Sequence, residues 1–160
     1  MESATQIVET LKVRGETITC AESITGGALT SALVSVPGAS HVLKGSIIAY
    51  ASEIKIKELQ IAPELIDTSG VVSEEVAIAM ANGARRKFAT DWSLGVTGVA
   101  GPGPSHDVPA GTVWLAVLGP NHQETVKLAL SGDRENVRRG AVESALGVLA
   151  RILSSAAKSS

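Results

Sequence analysis

Residues 17–36 read TITCAESITGGALTSALVSV and contain the pattern that decides the fold class. The first five, Thr17–Ala21, predict a short strand that follows a turn at Gly15. The segment Gly26–Val36 predicts a helix, because its apolar residues recur at helical spacing and leave one apolar face. A strand that passes through a glycine-containing turn into an amphipathic helix is typical of an α/β protein.

Strands and helices continue to alternate along the rest of the chain. Pro63–Gly70 is expected to be a connector, with or without one helical turn, and Ser52 and Ser73 are candidate helix N-caps. The order predicts an α/β fold, a single-domain layered α/β sandwich with a mixed β-sheet flanked by helices. We expect one domain over residues 1–160, with its core at about 5–153 and a frayed tail at 154–160. The further predicted helices are residues 5–13, 52–59, 74–88 and 133–153, and the further predicted strands are 42–50, 92–99, 111–118 and 124–130.

The composition excludes several classes of protein. With 44% hydrophobic and 19% charged residues, the chain does not have the composition of a disordered protein. A net charge of −2 and very few aromatic residues argue against nucleic-acid binding. The single cysteine, Cys20, permits no internal disulfide, and no Cys or His cluster has metal-ligand spacing. No apolar run reaches about 18 residues and the N-terminus lacks a secretory pattern, so we expect a cytoplasmic protein without a membrane partner.

The turn between the first strand and the next helix is the first candidate site. Its small residues allow a ligand to approach the backbone, and free amides at a helix start attract an anion or an oxyanion. Ser23 would lie beside that positive pole, where a nucleophile is useful. The alternative is that Ser23 or Thr25 only caps the helix, which is the commoner use of these residue types.

Three other segments carry candidate functional residues. Tyr50 and Lys55 place a hydroxyl and an amine close together, and Lys55 can act as a general base if burial lowers its pKa; otherwise it is a solvated helix lysine. Thr97 ends a strand before a Gly/Pro loop, where it either holds a ligand or bonds the loop backbone. Arg134 and Arg138 are one helical turn apart, so they either clamp a phosphate or pair with nearby surface acids.

Six ordered motifs together resemble one known family. They are AESITGG at 21–27, YxxExK at 50–55, GVVSEEVA at 70–77, GVTGVAGP at 95–102, PxGTV at 109–113 and GDRxxVR at 132–138. The chain is similar over residues 5–153 to the CinA C-terminal domain family, whose stand-alone form is a PncC-like nicotinamide mononucleotide amidohydrolase. Six motifs in the right order are a far more specific signal than any one of them alone.

The resemblance implies hydrolysis of the carboxamide of nicotinamide mononucleotide (NMN) to nicotinic acid mononucleotide and ammonia. This reaction belongs to pyridine-nucleotide recycling and needs no metal or other cofactor, and the family is often homo-oligomeric. By matched motif, Ser23 is the nucleophile, Lys55 the base and Tyr50 a neighbouring hydroxyl that organises or relays protons. The implied substrate-binding residues are Thr25, Gly26 and Gly27 for the oxyanion and anion, Thr97 and Gly98 for the nucleotide cleft, and Arg134 and Arg138 for the phosphate.

Two departures from the family bear on these expectations. The family usually reads YSNExK, whereas this chain has Ala51 and Ser52 in place of Ser-Asn. Loss of the Asn amide would affect how the substrate or Lys55 is oriented, so a non-catalytic nucleotide-binding or regulatory module is the alternative function. The long CinA form has an additional N-terminal domain, and a chain of this length is too short to include it.

Overall fold

The computed structural model describes residues 2–158, which contain a five-stranded mixed β-sheet. The strands lie in the order β2-β1-β3-β4-β5; β1 is parallel to β2 and β3, while β4 is antiparallel to β3 and β5. This arrangement confirms the predicted mixed sheet. The strand bounds are β1 Ile18–Glu22, β2 Leu43–Ile48, β3 Trp92–Gly98, β4 Thr112–Gly119 and β5 His122–Ala129.

Helices cover both faces of the sheet and make it the central layer of three. One face packs against α1, α2 and α6 through a large aliphatic core, and the other packs against α5 with α3 and α4 beside it. Adjacent residues of β1 show the alternation, since Cys20 belongs to the first core and Ala21 to the second. The helix bounds are α1 Glu2–Arg14, α2 Ala28–Val34, α3 Ser52–Leu59, α4 Pro63–Ser69, α5 Glu74–Phe88 and α6 Arg134–Lys158, with a 3₁₀ turn at Ala39–His41.

Small residues let α5 lie unusually close to the sheet. A Cβ added at Gly95 of β3 would stand 2.3 Å from the carbonyl oxygen of Ala77 and 2.9 Å from the amide of Ala81. Both atoms belong to the α5 backbone and cannot move aside as a side chain would. A core with few aromatic side chains thus allows the backbones of α5 and β3 to pack closely.

Two helical segments are longer than the sequence predicts. Pro63–Ser69 is a helix of 7 residues where a connector with or without one helical turn was expected, and proline is well suited to the first helical position. The last helix runs to Lys158, past its predicted end at residue 153, while residues 159 and 160 lie outside the described residues; fraying of the tail stays a prediction. Contacts from α1 hold this end, because Gln6 Nε2 donates to Ser154 Oγ at 2.6 Å.

The two predicted serine caps have different outcomes. Ser73 caps α5 as expected, since its hydroxyl oxygen accepts a hydrogen bond from the amide of Val76 at 3.2 Å. Ser52 does not cap α3, because Ala51 occupies the N-cap position without a side-chain hydrogen bond. None of the helices among residues 2–158 is long and apolar enough to cross a lipid bilayer.

Candidate active site

The parallel strands β1, β2 and β3 end at the same edge of the sheet, and a cavity of about 540 Å³ opens there. Open α/β sheets bind their ligands beyond the carboxyl ends of the strands, so this position is the expected one. The loop that follows β3 forms one wall of the cavity. The sequence-predicted residues in the lining are Ser23, Tyr50, Lys55, Thr97, Gly98 and Arg134.

Ser23 and Lys55 meet inside this cavity. The amine nitrogen Nζ of Lys55 lies 2.8 Å from the hydroxyl oxygen Oγ of Ser23. Only 7% of Ser23 and 1% of Lys55 are exposed to solvent. Ser23 directly follows β1, while Lys55 reaches back from the first turn of α3, which follows β2. The side chains are thus within hydrogen-bonding reach, and Lys55 is not a solvated helix lysine.

The environment of Lys55 favours its neutral form. Burial lowers the pKa of the amine from 10.5 to about 8. Besides Ser23, the amine contacts the carbonyl oxygens of Ala49 at 2.8 Å and Tyr50 at 3.0 Å. A neutral amine has two N–H groups and one lone pair, so the two carbonyls can take both N–H groups. The lone pair is then left for the hydroxyl proton of Ser23.

The start of α2 is occupied by a carboxylate from the same chain. Glu22 is fully buried, and its oxygens accept hydrogen bonds from the amides of Gly27, Leu29 and Thr30 at 3.1, 3.0 and 2.8 Å. Gly27 holds the N-cap position with φ of 102° and no side-chain cap. The expected capping by Ser23 or Thr25 is therefore wrong, and the amide of Gly27 is not free to bind an anion.

Gly26 and Thr25 also differ from the sequence expectation. The amide of Gly26 donates to the carbonyl of Ser23 at 3.1 Å, so it too is engaged within the loop. The Thr25 hydroxyl is buried and has no hydrogen-bond partner in the described part of the chain. Neither residue lines the cavity, whereas Ile24 does. Among residues 2–158, no acceptor pairs with the backbone amides of Ile24 and Thr25.

The two arginines of α6 point to different partners. Arg134 lines the cavity, where it donates to the carbonyl of Gly101 at 2.7 Å and to the Tyr50 hydroxyl at 3.1 Å. Arg138 does not line it; its Nε and Nη2 donate to the carbonyls of Ile24 and Thr25 at 3.0 and 3.1 Å. The expectation that Arg138 binds phosphate is therefore corrected, because the backbone of the serine loop takes its guanidinium. Glu135 pairs with Arg139 at 3.5 Å, not with either of them.

Tyr50, Thr97 and Gly98 lie at the cavity in supporting positions. Tyr50 is 63% exposed, and its hydroxyl bonds to Arg134 and not to Ser23 or Lys55, which corrects the expected proton relay. The Thr97 hydroxyl donates to the carbonyl of Val71 at 3.0 Å, which lies between α4 and α5 and not in the Gly/Pro loop after β3, and Thr97 also lines the cavity. A Cβ at Gly98 would meet the carbonyl oxygen of Thr112 at 2.8 Å.

Several residues of the site were not found by the sequence analysis. Glu22 was quoted within a motif without a role, although an acid that ends a buried strand is a signal of its own. Ser105 and His106 line the cavity because the loop after β3 folds back through a two-residue turn at His106 and Asp107, both with positive φ. No group of three metal-ligating side chains occurs among residues 2–158.

Similarity to known proteins agrees with this geometry. A model of the CinA C-terminal domain matches residues 1–153. A CinA-like protein of Anaeromyxobacter dehalogenans is 47% identical over 144 residues, which are 89% of this chain and 35% of that protein. A CinA-like protein of Fervidobacterium nodosum is 42% identical over 146 residues, 91% of this chain and 36% of that protein. The chain thus spans about a third of the length of these curated relatives.

Solved structures share the whole fold. The competence damage-inducible protein A of Klebsiella pneumoniae has a TM-score of 0.93 at 32% identity and 96% coverage of both chains. A competence/damage inducible protein of Agrobacterium tumefaciens has a TM-score of 0.90 at 31% identity, with 96% of this chain and 94% of that chain covered. Because the family model covers nearly the full length and the relatives exceed 30% identity, this chain belongs to the CinA C-terminal domain family.

Proposed function

We propose that this protein is an amidohydrolase that converts NMN to nicotinic acid mononucleotide and ammonia. The observation that carries the proposal is the buried amine of Lys55, 2.8 Å from the hydroxyl of Ser23 inside a cavity. Amides resist attack by water, so their hydrolysis requires an activated nucleophile. A serine beside an amine whose lowered pKa leaves a usable neutral fraction near pH 7 meets that requirement, and the motif resemblance supplies the substrate.

The reaction follows from the contacts of the two side chains. Neutral Lys55 takes the hydroxyl proton as Ser23 Oγ bonds to the carboxamide carbon, and the carbonyl oxygen becomes an oxyanion. Lys55 then gives that proton to the amide nitrogen, the C–N bond breaks and ammonia leaves. Water attacks the resulting ester with Lys55 again as base, and the acid departs while Ser23 regains its proton.

The cavity suits a mononucleotide in size and charge. Its volume of about 540 Å³ lies within the ~300–1,000 Å³ typical of small-molecule sites. Arg134 brings a fixed positive charge to the lining, and guanidinium groups bind phosphate in bidentate geometry. We place the carboxamide against Ser23 and the phosphate toward Arg134, so that the charged end remains near solvent.

The test is ammonia release from NMN by the purified protein, compared with two site variants and one matched control. Lys55→Met should lower kcat by about 10²–10⁴-fold, the contribution of general base catalysis, and Ser23→Ala, which removes the nucleophile itself, should lower it at least as much. Lys57→Met changes an exposed lysine of the same helix and should leave the rate unchanged. Full activity in Ser23→Ala would remove that residue from the mechanism and contradict the proposal.

A second candidate is a module that binds the nucleotide without turning it over. It is favoured by Ala51 and Ser52, which line the cavity where the family usually has Ser-Asn. Calorimetric binding of NMN with no ammonia after long incubation would select this alternative. Cytoplasmic location and assembly into a homo-oligomer stay predictions from the sequence.

A further inference from the structure

The loop that follows β1 leaves two backbone amides free, and they directly follow the serine. Seven consecutive amides run from Ser23 to Leu29, and five of them have acceptors within the chain. Glu22 takes two of these five, so its carboxylate removes the helix start as a site for a second anion. The two without an acceptor in the described residues are those of Ile24 and Thr25.

The guanidinium of Arg138 binds two backbone carbonyls of this loop, and these bonds restrict the orientation of the free amides. A trans peptide carries its N–H opposite to its C=O. Arg138 Nε holds the carbonyl of Ile24 at 3.0 Å, so the amide of Thr25, in the same peptide, is turned away from Arg138. Arg138 Nη2 holds the next carbonyl, that of Thr25, at 3.1 Å.

The bond from Arg138 to the carbonyl of Thr25 also affects the amide of Ile24, through the hydrogen bond that closes the turn. The carbonyl of Thr25 shares a peptide with the amide of Gly26, and that amide donates to the carbonyl of Ser23 at 3.1 Å. The carbonyl of Ser23 in turn shares a peptide with the amide of Ile24. The loop is shaped around the guanidinium, since Gly26 has φ of 58° and a Cβ there would lie 3.2 Å from Arg138 Nη2.

The position of the Ile24 amide matches a known catalytic requirement. In other serine hydrolases, the amide of the residue after the nucleophile donates to the oxyanion. Ile24 is that residue here, and it lines the cavity. We propose that Arg138 is a positioning residue that, by holding this loop, directs the amide of Ile24 toward the oxyanion formed when Ser23 attacks; for its substrate this inference rests on the proposed function.

The first experiment compares Arg138→Met on NMN and on nicotinamide riboside, the nucleoside that lacks the phosphate. Removal of one oxyanion donor costs about 10²–10³-fold in kcat, and loosening the Ile24 donor without removing it should cost about 10–100-fold. We expect the same loss of kcat on both substrates with little change in KM. Arg138→Lys should recover only part of the rate, because an ammonium cannot hold two carbonyls in the fixed geometry of a guanidinium.

Arg134→Met is the matched control, one turn earlier on the same helix. It should raise KM for NMN much more than KM for the nucleoside, since Arg134 lines the cavity where we place the phosphate. The inference is overturned if Arg138→Met behaves in that way, because Arg138 would then bind phosphate. It is equally overturned if the variant has a lower Tm but an unchanged kcat per folded molecule, because the role would then be structural only.

A second experiment does not depend on the natural substrate. A fluorophosphonate probe reacts when Ser23 Oγ bonds to phosphorus, fluoride leaves and the serine proton passes to Lys55; intact mass reports the adduct. We expect labelling of the wild type, and about 10–100-fold slower labelling of Arg138→Met, because the phosphoryl oxygen also gains charge. If the probe labels the wild type but the wild type releases no ammonia from NMN, only the proposed function is refuted. Equal labelling rates, or an unreactive wild-type Ser23, overturn the inference about Arg138.

Discussion

At the scale of single residues, the chemistry depends on how much of one amine is neutral. An ordinary lysine with a pKa of 10.5 is almost entirely protonated at pH 7, and lowering that pKa to about 8 raises the neutral fraction roughly 300-fold. No carboxylate among the described residues pairs with Lys55 to reverse this effect. The neighbouring carbonyls direct the amine without adding a charge.

The rate should therefore follow the ionisation of Lys55. We predict that kcat/KM rises about tenfold per pH unit below pH 8 and levels off above it, because the free base is the active form. Nicotinamide riboside is the preferred substrate for this measurement, since a phosphate would add its own ionisation near pH ~6. A profile that stays flat between pH 6 and pH 9 would contradict the role of Lys55.

Some of these residue roles could be predicted from sequence and others could not. Ser23 and Lys55 lie in motifs whose types already suggest a nucleophile and a base, and the structure brings them together. Arg138 belongs to a similar motif, but its partners are two backbone carbonyls more than a hundred residues away. Backbone groups look alike in every sequence, so only tertiary structure reveals which of them a guanidinium contacts.

At the scale of secondary structure elements, local signals gave the identity of the elements but not all their ends. The serine cap of α5 is a local feature and was predicted, whereas the cap of α2 comes from Glu22 of the preceding strand. The C-terminal end of α6 depends on contacts with α1, which no pattern within α6 can indicate. Tertiary contacts thus decide where a helix ends when its local sequence signal is weak.

The close approach of α5 to β3 makes a sharp prediction. Gly95→Ala should lower the free energy of unfolding by about 3 kcal/mol or more, because the new methyl group would lie 2.3 Å from a backbone oxygen. Gly147→Ala is the control: it lies within α6, has open space around its Cβ position and should stabilise by about 0.5–1 kcal/mol. Urea denaturation measures both, and Gly95→Ala with wild-type stability would show that the helix can move away.

At the scale of the whole molecule, the site combines parts of the chain that are distant in sequence. Four lining residues come from four places: Ser23 follows β1, Lys55 lies in the first turn of α3, Thr97 lies near the end of β3 and Arg134 begins α6. The sheet order brings them to one cavity. Alternation of strands and helices predicted the fold class, which the structure confirms. The strand order was not predictable in the same way, because apolar strands of similar composition are interchangeable until packing selects among them.

The buried amine should also affect the stability of the whole domain. The pKa of Lys55 is about 8 in the folded state and 10.5 when exposed, so between these values only the unfolded chain retains the proton. Unfolding then takes up a proton, and stability therefore rises with pH over this window, by on the order of 3 kcal/mol for this group. Urea titrations at pH 7 and pH 10 should show a smaller rise in Lys55→Met. Parallel curves for the two proteins would contradict the lowered pKa.

The outermost position of β2 in the sheet has a consequence for how activity is lost. Ser23 follows β1, and Lys55 lies on α3, which follows the adjacent strand β2. Among the described residues, no strand pairs with the other edge of β2. An edge strand can peel away while the remaining four stay paired. Such fraying would move Lys55 away from Ser23 while most of the core stays intact. We therefore expect activity to be lost at a lower temperature or urea concentration than the fold.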